Sequence, residues 1–365
     1  MLSFSSVKLA LVALPLGAQL ASAAYTLNNT IAGQSFLDHF TFFTATDPTS
    51  GFVQYVSQDE AMNSSLIGLR SHAHSNNSLY IGVDANTTLS SSGPGRKSIR
   101  LQGKESFTHG LLTLDVYHAP TGCGTWPALW MVHEGGAYPG TTGEIDIFEA
   151  VNNATQNSVT LHTDQGCVLS SSPSNRTMSG TVRTPDCWVD APGQGNSGCS
   201  IVAPAGLKYT SKAVRAAGAH PCTANKTFST AGADFNKQGG GVFALAWTSD
   251  VIETYFFPRG LVPPELHLGL RRNATTKSAD PDKWRAQGHV PIASFAGCDW
   301  DKHVSNLSLV VDTDFCGGWA DSTWVSGGCA ASTGKQTCQE HVASSPTAFK
   351  TAHWLIGGVE VWTGQ

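Results

Sequence analysis

Apolar and polar residues alternate in seven short runs: 98–102, 112–117, 159–163, 242–248, 252–256, 307–312 and 359–362. Gly, Pro, Asn, Asp or Ser bounds each of them. A two-residue period sends successive side chains to opposite faces, the pattern of a β-strand rather than a helix. Sustained helical periodicity is missing, and the best candidate for a short helix is 346–354. Many short strands separated by turns predict an all-β sandwich. The stretch 193–241, rich in Gly, Ala, Ser and Asn, is expected to form long surface loops. No internal repeat is evident.

The N-terminus reads as a leader. Lys8 precedes the apolar run 9–16, and Ala21-Ser22-Ala23 is a small-x-small cleavage site. Residues 1–23 are therefore predicted to be a secretory signal peptide, too short and wrongly flanked to span a bilayer. Residues 24–365 are expected to form one domain, and sandwiches of that size commonly do. The final residues, 359–365, carry no hydrophobic tail of the kind a lipid-anchor signal needs. Export is expected, and nine sequons agree with it, at Asn28, Asn63, Asn76, Asn86, Asn153, Asn175, Asn225, Asn273 and Asn306. The nine cysteines include no C-x-x-C pair, so in an exported chain disulfides are favoured over zinc. An odd count leaves at least one thiol free or paired between chains. The formal charge of −5 is spread without a basic stripe, so neither nucleic acid nor an anionic membrane is an expected partner.

Chemistry concentrates in Gly143-Glu-Ile-Asp-Ile-Phe-Glu149. On a regular strand Glu144 and Asp146 share one face, while Ile145 and Ile147 share the other. Glu149 would then join the isoleucines in the core, at a cost of roughly 2–7 kcal/mol even for a neutral polar group. One extra residue near Ile147-Phe148, a β-bulge, removes the conflict: Phe148 turns inward and Glu149 rejoins the other acids. Two carboxyl groups facing one cleft are what hydrolysis of a glycosidic bond requires. An ordinary wet strand face and a divalent-cation site of oxygen ligands are the alternatives.

Trp126 and Trp130 lie just before the acids, four residues apart and so on one face of a strand; Tyr138 falls between them and the acids. Flat aromatic rings pack against the C–H faces of sugars. Trp130 and Tyr138 are expected to line a cleft, and Trp126 is open between cleft and core. His162 lies in the next strand candidate, within reach of the carboxylates if the two strands pair. No H-e-x-x-H-type metal spacing and no G-x-S-x-G elbow is present.

Glu144-Ile-Asp-Ile-Phe-Glu149 resembles the E-x-D-x-x-E signature of family 16 glycoside hydrolases in its laminarinase form, and the fungal endo-1,3(4)-β-glucanases are most similar. The likeness extends over most of the chain. It includes Asp47-Pro-Thr-Ser-Gly-Phe-Val-Gln-Tyr55, Gly122-Cys-Gly-Thr-Trp-Pro-Ala-Leu-Trp130, Leu161-His-Thr163, Phe256-Phe-Pro-Arg259, Phe315-Cys-Gly-Gly-Trp319 and the terminal Trp354 and Val361-Trp362.

The resemblance implies a curved, concanavalin A-like β-jelly roll with the cleft across its concave sheet. It implies Glu144 as nucleophile, Glu149 as acid/base, Asp146 as the neighbour that tunes the nucleophile, and His162 as a supporting histidine. Trp126, Trp130, Tyr138, Trp247, Tyr255 and Trp319 are the sugar-binding candidates. Ala246 stands where related sequences usually carry Glu, which predicts altered contacts to the sugar. Cys222 is the supernumerary cysteine. The expected substrate is a β-1,3(4)-glucan, cleaved internally with retention by a monomer. Like-charge repulsion should raise the pKa of at least one acid, which suits Glu149 to its role. No metal or other cofactor is expected in the chemistry, and a structural calcium ion is left open. A wall-remodelling transglycosylase and a non-catalytic glucan-binding protein are the alternatives.

Overall fold

A computed structural model describes residues 24–72, 75–133, 142–169, 177–266 and 278–364. Among them two large antiparallel sheets form the framework. One has eight strands in the order Thr181–Thr184, Cys199–Val202, Ser158–His162, Glu144–Glu149, Thr125–Val132, Leu307–Phe315, Arg100–Phe107 and Phe40–Phe42. The other runs Ser278–Ala279, Tyr25–Ile31, Trp354–Gly364, Gly110–His118, Gly241–Trp247, Val251–Pro258 and Ala293–Ala296. The hairpin Ile67–His72 and Ser75–Ile81 joins it against Trp354–Gly364.

The two-residue period explains how the sheets stack. Leu129 and Met131, Ile145 and Ile147, Leu161, Ile201, Leu309 and Val311 point from the first sheet into a shared core. Leu112, Leu114, Val116, Phe243, Leu245, Ile252 and Phe256 meet them from the second. The alternate residues of the second sheet are also apolar and buried: Leu111, Val242, Ala244, Tyr255 and Phe257 lie under Trp284 of the helix Pro281–Ala286. That sheet is covered on both faces, so 242–247 is a nearly unbroken apolar run and departs from the alternation expected of it. The first sheet keeps its outer face polar, and the site is built there.

Short helices replace some expected loops. Residues 193–241 contain the strand Cys199–Val202, the helices Ser211–Ala216 and Gly232–Lys237 and the 3-10 turn Pro221–Asn225, so they are not loop throughout. The helix expected over 346–354 is a 3-10 turn at Pro346–Phe349, followed by a strand from Trp354. Just upstream, the helices Gly317–Ser322, Cys329–Thr333 and Cys338–Ser344 are too short to show a period in sequence. Disulfides fasten them, Cys123 to Cys329 and Cys316 to Cys338. Two further bridges join Cys167 to Cys298 and Cys187 to Cys199, leaving Cys222 free and exposed. No helix among the described residues is long and apolar enough to cross a membrane. The predicted leader, residues 1–23, lies outside them.

Candidate active site

The acidic strand Glu144–Glu149 pairs with Thr125–Val132 on one side and Ser158–His162 on the other. Glu144 opposes Val132 and Asp146 opposes Trp130, but the next partners are Phe148 with Leu129 and Glu149 with Ala128. Ile147 is the extra residue, and the register shifts there on both edges. Ile145, Ile147 and Phe148 are all fully buried. Phe148 packs edge-on against Phe243 and Trp354, with centroids 5.4 Å away in each case. Glu149 is thereby returned to the face of Glu144 and Asp146. The expected bulge is present.

A bulge leaves ladder groups without strand partners. Here a side chain supplies them. Asn157, wholly buried just before the strand Ser158–His162, accepts from the Glu149 amide at 2.8 Å through Oδ1. Its Nδ2 donates to the Ile147 carbonyl at 2.9 Å.

Across the sheet, in register, one face carries Asp312 and Asp314, then Trp126 and Trp130, then the three acids, then Thr160 and His162. Trp126 Nε1 donates to Glu149 Oε1 at 2.7 Å, and its ring meets Trp319 edge-to-face at 5.9 Å. Trp130 Nε1 donates to Asp312 Oδ2 at 3.2 Å, while the Arg100 guanidinium lies 4.8 Å from its ring and 4.4 Å from that of Phe43. Thr49 Oγ1 stands 2.6 Å from Asp47 Oδ2 and 2.8 Å from Asp314 Oδ2.

His162 Nε2 lies 3.3 Å from Asp146 Oδ2 and 3.8 Å from Glu144 Oε1, and its Nδ1 is 3.1 Å from Asn196 Oδ1. Acceptors at both ring nitrogens favour the doubly protonated imidazole. Burial opposes that charge, but the bond to Asp146, the charges of Asp146 and Glu149 and the bond to Asn196 outweigh it, and the pKa is raised. The acid and histidine atoms of Glu144, Asp146 and His162 all fall within 4.8 Å of one another, the spacing of a metal group. A charged histidine is a poor ligand, because coordination needs the neutral ring.

Burial pushes the Glu149 carboxyl well above its ordinary range, and the charges of Asp146 and Glu144 add to it; the Trp126 bond and His162 oppose the shift. Asp312 is pushed up to about 7, chiefly by burial, against the pull of Arg100 and Trp130. Burial also holds Asp314 well above its usual range, helped by Asp47. Glu149 is thus equipped to hold a proton, and His162 to hold the opposite charge beside Glu144 and Asp146.

Of the sequence candidates, Glu144, Asp146, Glu149, His162, Trp126, Trp130 and Trp319 come together. Tyr138 lies outside the described residues. Trp247 and Tyr255 do not reach the cleft. Both belong to the second sheet and are buried, Trp247 in the core and Tyr255 in the outer layer with its hydroxyl donating to Glu253 Oε2 at 2.9 Å. Ala246 is buried in that outer layer too, so its identity does not alter contacts at the cleft. Sequence reading missed Asn157, Asn196, Arg100, Asp312 and Asp314. Period-2 phasing of the strand 307–312 could have placed Asp312 outward, but nothing local marks Asn157. Of the sequons, Asn28, Asn63, Asn86, Asn153, Asn225 and Asn306 are exposed. Asn76 lies in the strand Ser75–Ile81, its side chain outside the described set, as are Asn175 and Asn273.

An antiparallel sandwich that opens paired glutamates, a third carboxylate and indole walls onto one sheet face is a glycoside hydrolase scaffold. The XgeA-like catalytic domain profile of glycoside hydrolase family 16 matches residues 40–220 and 206–362, and the chain belongs to that family. It is 38% identical over 349 residues to an endo-1,3(4)-β-glucanase of Arthroderma benhamiae, covering 94% of this chain and 66% of that one. It is 39% identical to a probable glycosidase of Schizosaccharomyces pombe, covering 93% and 69%. A probable endo-1,3(4)-β-glucanase of Aspergillus niger is 35% identical, and this chain spans only 40% of its length. Among solved structures, Laminarinase 16A of Phanerochaete chrysosporium, with β-glucans in donor and acceptor sites, superposes at a TM-score of 0.76 with 33% identity. That match covers 93% of this chain and all of the other. An elongating family 16 β-1,3-glucosyltransferase superposes at 0.74 with 34% identity, with the same coverage. The fold is therefore the family's β-jelly roll.

Proposed function

We propose that this protein is a secreted endo-β-glucanase that cleaves internal bonds of β-1,3(4)-glucans by double displacement with retention. The bulged strand carries the proposal: it sets the protonated Glu149, held by Trp126, on the same face as Glu144, Asp146 and His162. Glu149 gives its proton to the glycosidic oxygen while Glu144 attacks the anomeric carbon. The aglycone leaves as an alcohol and a glycosyl–Glu144 ester forms. Glu149, now a carboxylate, deprotonates water, which attacks the anomeric carbon and frees Glu144. Asp146 and His162 fix the nucleophile's charge and orientation. Trp126, Trp130 and Trp319 offer faces to sugar rings, and the named relatives and the oligosaccharide complex support a glucan as substrate.

Reducing-sugar release from laminarin, lichenan and mixed-linked glucan, with proton NMR of the first product anomer, tests the reading. Retention is expected. Net inversion, or Glu144→Gln near full activity, would sink it. Chelation with EDTA should leave activity unchanged, since no step is routed through a metal. The four disulfides support an oxidising compartment, and secretion predicts a mature N-terminus after Ala23, read by sequencing the exported protein. A second reading, transfer of the glycosyl group to a sugar hydroxyl, is favoured by the likeness to the elongating glucosyltransferase. Products longer than a supplied laminari-oligosaccharide would establish it.

A further inference from the structure

We infer that Asn157 is a positioning residue for acid/base catalysis: its side-chain amide holds the bulge open and so sets where Glu149 stands. The inference rests on Glu149 being the acid. A peptide unit presents one acceptor and one donor, and so does a carboxamide. Asn157 offers Oδ1 to the Glu149 amide at 2.8 Å and Nδ2 to the Ile147 carbonyl at 2.9 Å, the two groups that flank Phe148. It therefore takes the place of the missing strand partner on this edge, where Asp146 opposes Thr160 and the next pair is Glu149 with Ser158.

Its own position is fixed from behind. The Asn157 amide donates to Thr230 Oγ1 at 2.8 Å, and its carbonyl accepts from the Ala203 amide at 2.9 Å. Asn157 and Thr230 are both fully buried, so no water competes for these bonds. Every hydrogen-bonding group of Asn157 has a partner in this set, and both of its side-chain bonds end on the bulge. Without the amide, the Glu149 N–H and Ile147 C=O would be left unpaired in the interior. The strand could satisfy them by slipping toward regular register, which turns Glu149 away from the cleft.

The test separates acid catalysis from general damage. In 2,4-dinitrophenyl β-laminaribioside the leaving phenolate departs without a proton, whereas the glycosidic oxygen of laminarin requires one. Asn157→Ala should lower kcat/KM on laminarin by about tenfold or more, within the ~10²–10⁴ that a general acid contributes, and change kcat/KM on the aryl glycoside by less than about threefold. Losses that do not differ between the two substrates, or no loss at all, overturn the assignment. If that variant does not fold, Thr230→Val, which removes only the hydroxyl behind Asn157, should show the same split at smaller size; an equal fall on both substrates overturns the assignment there too.

Glu149→Ala is measured alongside, with sodium azide and the aryl glycoside. Azide needs no base to attack the glycosyl–Glu144 ester: a C–N bond forms, the C–O bond to Glu144 breaks, and the carboxylate leaves. Azide acceleration with a glycosyl azide product confirms Glu149 as acid/base, so a failure of Asn157→Ala then counts against Asn157 alone. No acceleration removes the Glu149 reading first.

Discussion

Glu149 is poised between groups that pull its proton in opposite directions. Burial and the charges of Asp146 and Glu144 keep the proton on, while the Trp126 N–H stabilises the ionised form. A general acid works only while protonated, so activity should fall on the alkaline side as Glu149 ionises. Trp126→Phe removes the one hydrogen bond that lowers this pKa. The alkaline limb of kcat/KM against pH should therefore move to higher pH, and a shift to lower pH would contradict the assigned role of that bond. Glu149→Gln should cost about 10²–10⁴ in kcat/KM on laminarin, the usual worth of a general acid.

At the scale of the element, the acidic strand is held from both faces. Phe148 fills a space bounded by Phe243, Phe235 and Trp354, and its burial opposes any slip that would carry it outward. Phe148→Ala should cost about 3–5 kcal/mol in unfolding free energy, measured by denaturant titration. Activity on laminarin should fall at temperatures where the variant is still folded, because the bulge loses its apolar anchor. One strand beyond Thr125–Val132, the strand Leu307–Phe315 presents Asp312 and Asp314 on the same face as the acids, so the cleft has a second titrating edge across from the proposed catalytic one.

The whole molecule sums these titrations. Glu149, Asp312, Asp314 and His162 all have raised pKa values, so the folded chain binds more protons there than the unfolded one. His289, lowered to about 4 from 6.5, and His341 and His353, also lowered, act in the opposite sense below about pH 6.5. The unfolded-state charge of these histidines is half gone at pH 6.5 and mostly gone by about pH 7.5, so above pH 6.5 the proton release of the raised groups outweighs their uptake. Unfolding free energy should therefore fall as pH rises from about 6.5 to 8, and Asp312→Asn should flatten the early part of that fall. Calorimetry across this window checks both. Reduction should be costly as well: the bridge from Cys123 to Cys329 joins residues 206 apart in sequence, and a loop of that length is worth about 5 kcal/mol in the chain-entropy account. Cys222→Ser, at an exposed unpaired thiol, should leave the melting temperature unchanged.

Period-2 alternation was enough to read the sandwich, because it reports which side chains of a strand share a face. The clash between the acids and the isoleucines was enough to require an extra residue near Phe148, because a strand cannot otherwise put Glu144, Asp146 and Glu149 on one side. Alternation does not say which sheet a strand joins, and so Trp247 and Tyr255, plausible as sugar platforms, belong to the covered sheet instead. Nor does it say what completes the hydrogen bonds of a kink. The Asn157 carboxamide, the Trp126 bond to Glu149 and the Asp312 bond to Trp130 all depend on strand pairing, in the last case between residues 182 apart in sequence. Those partners meet only when the sheets are assembled, so the faces were legible in the chain and the completed site was not.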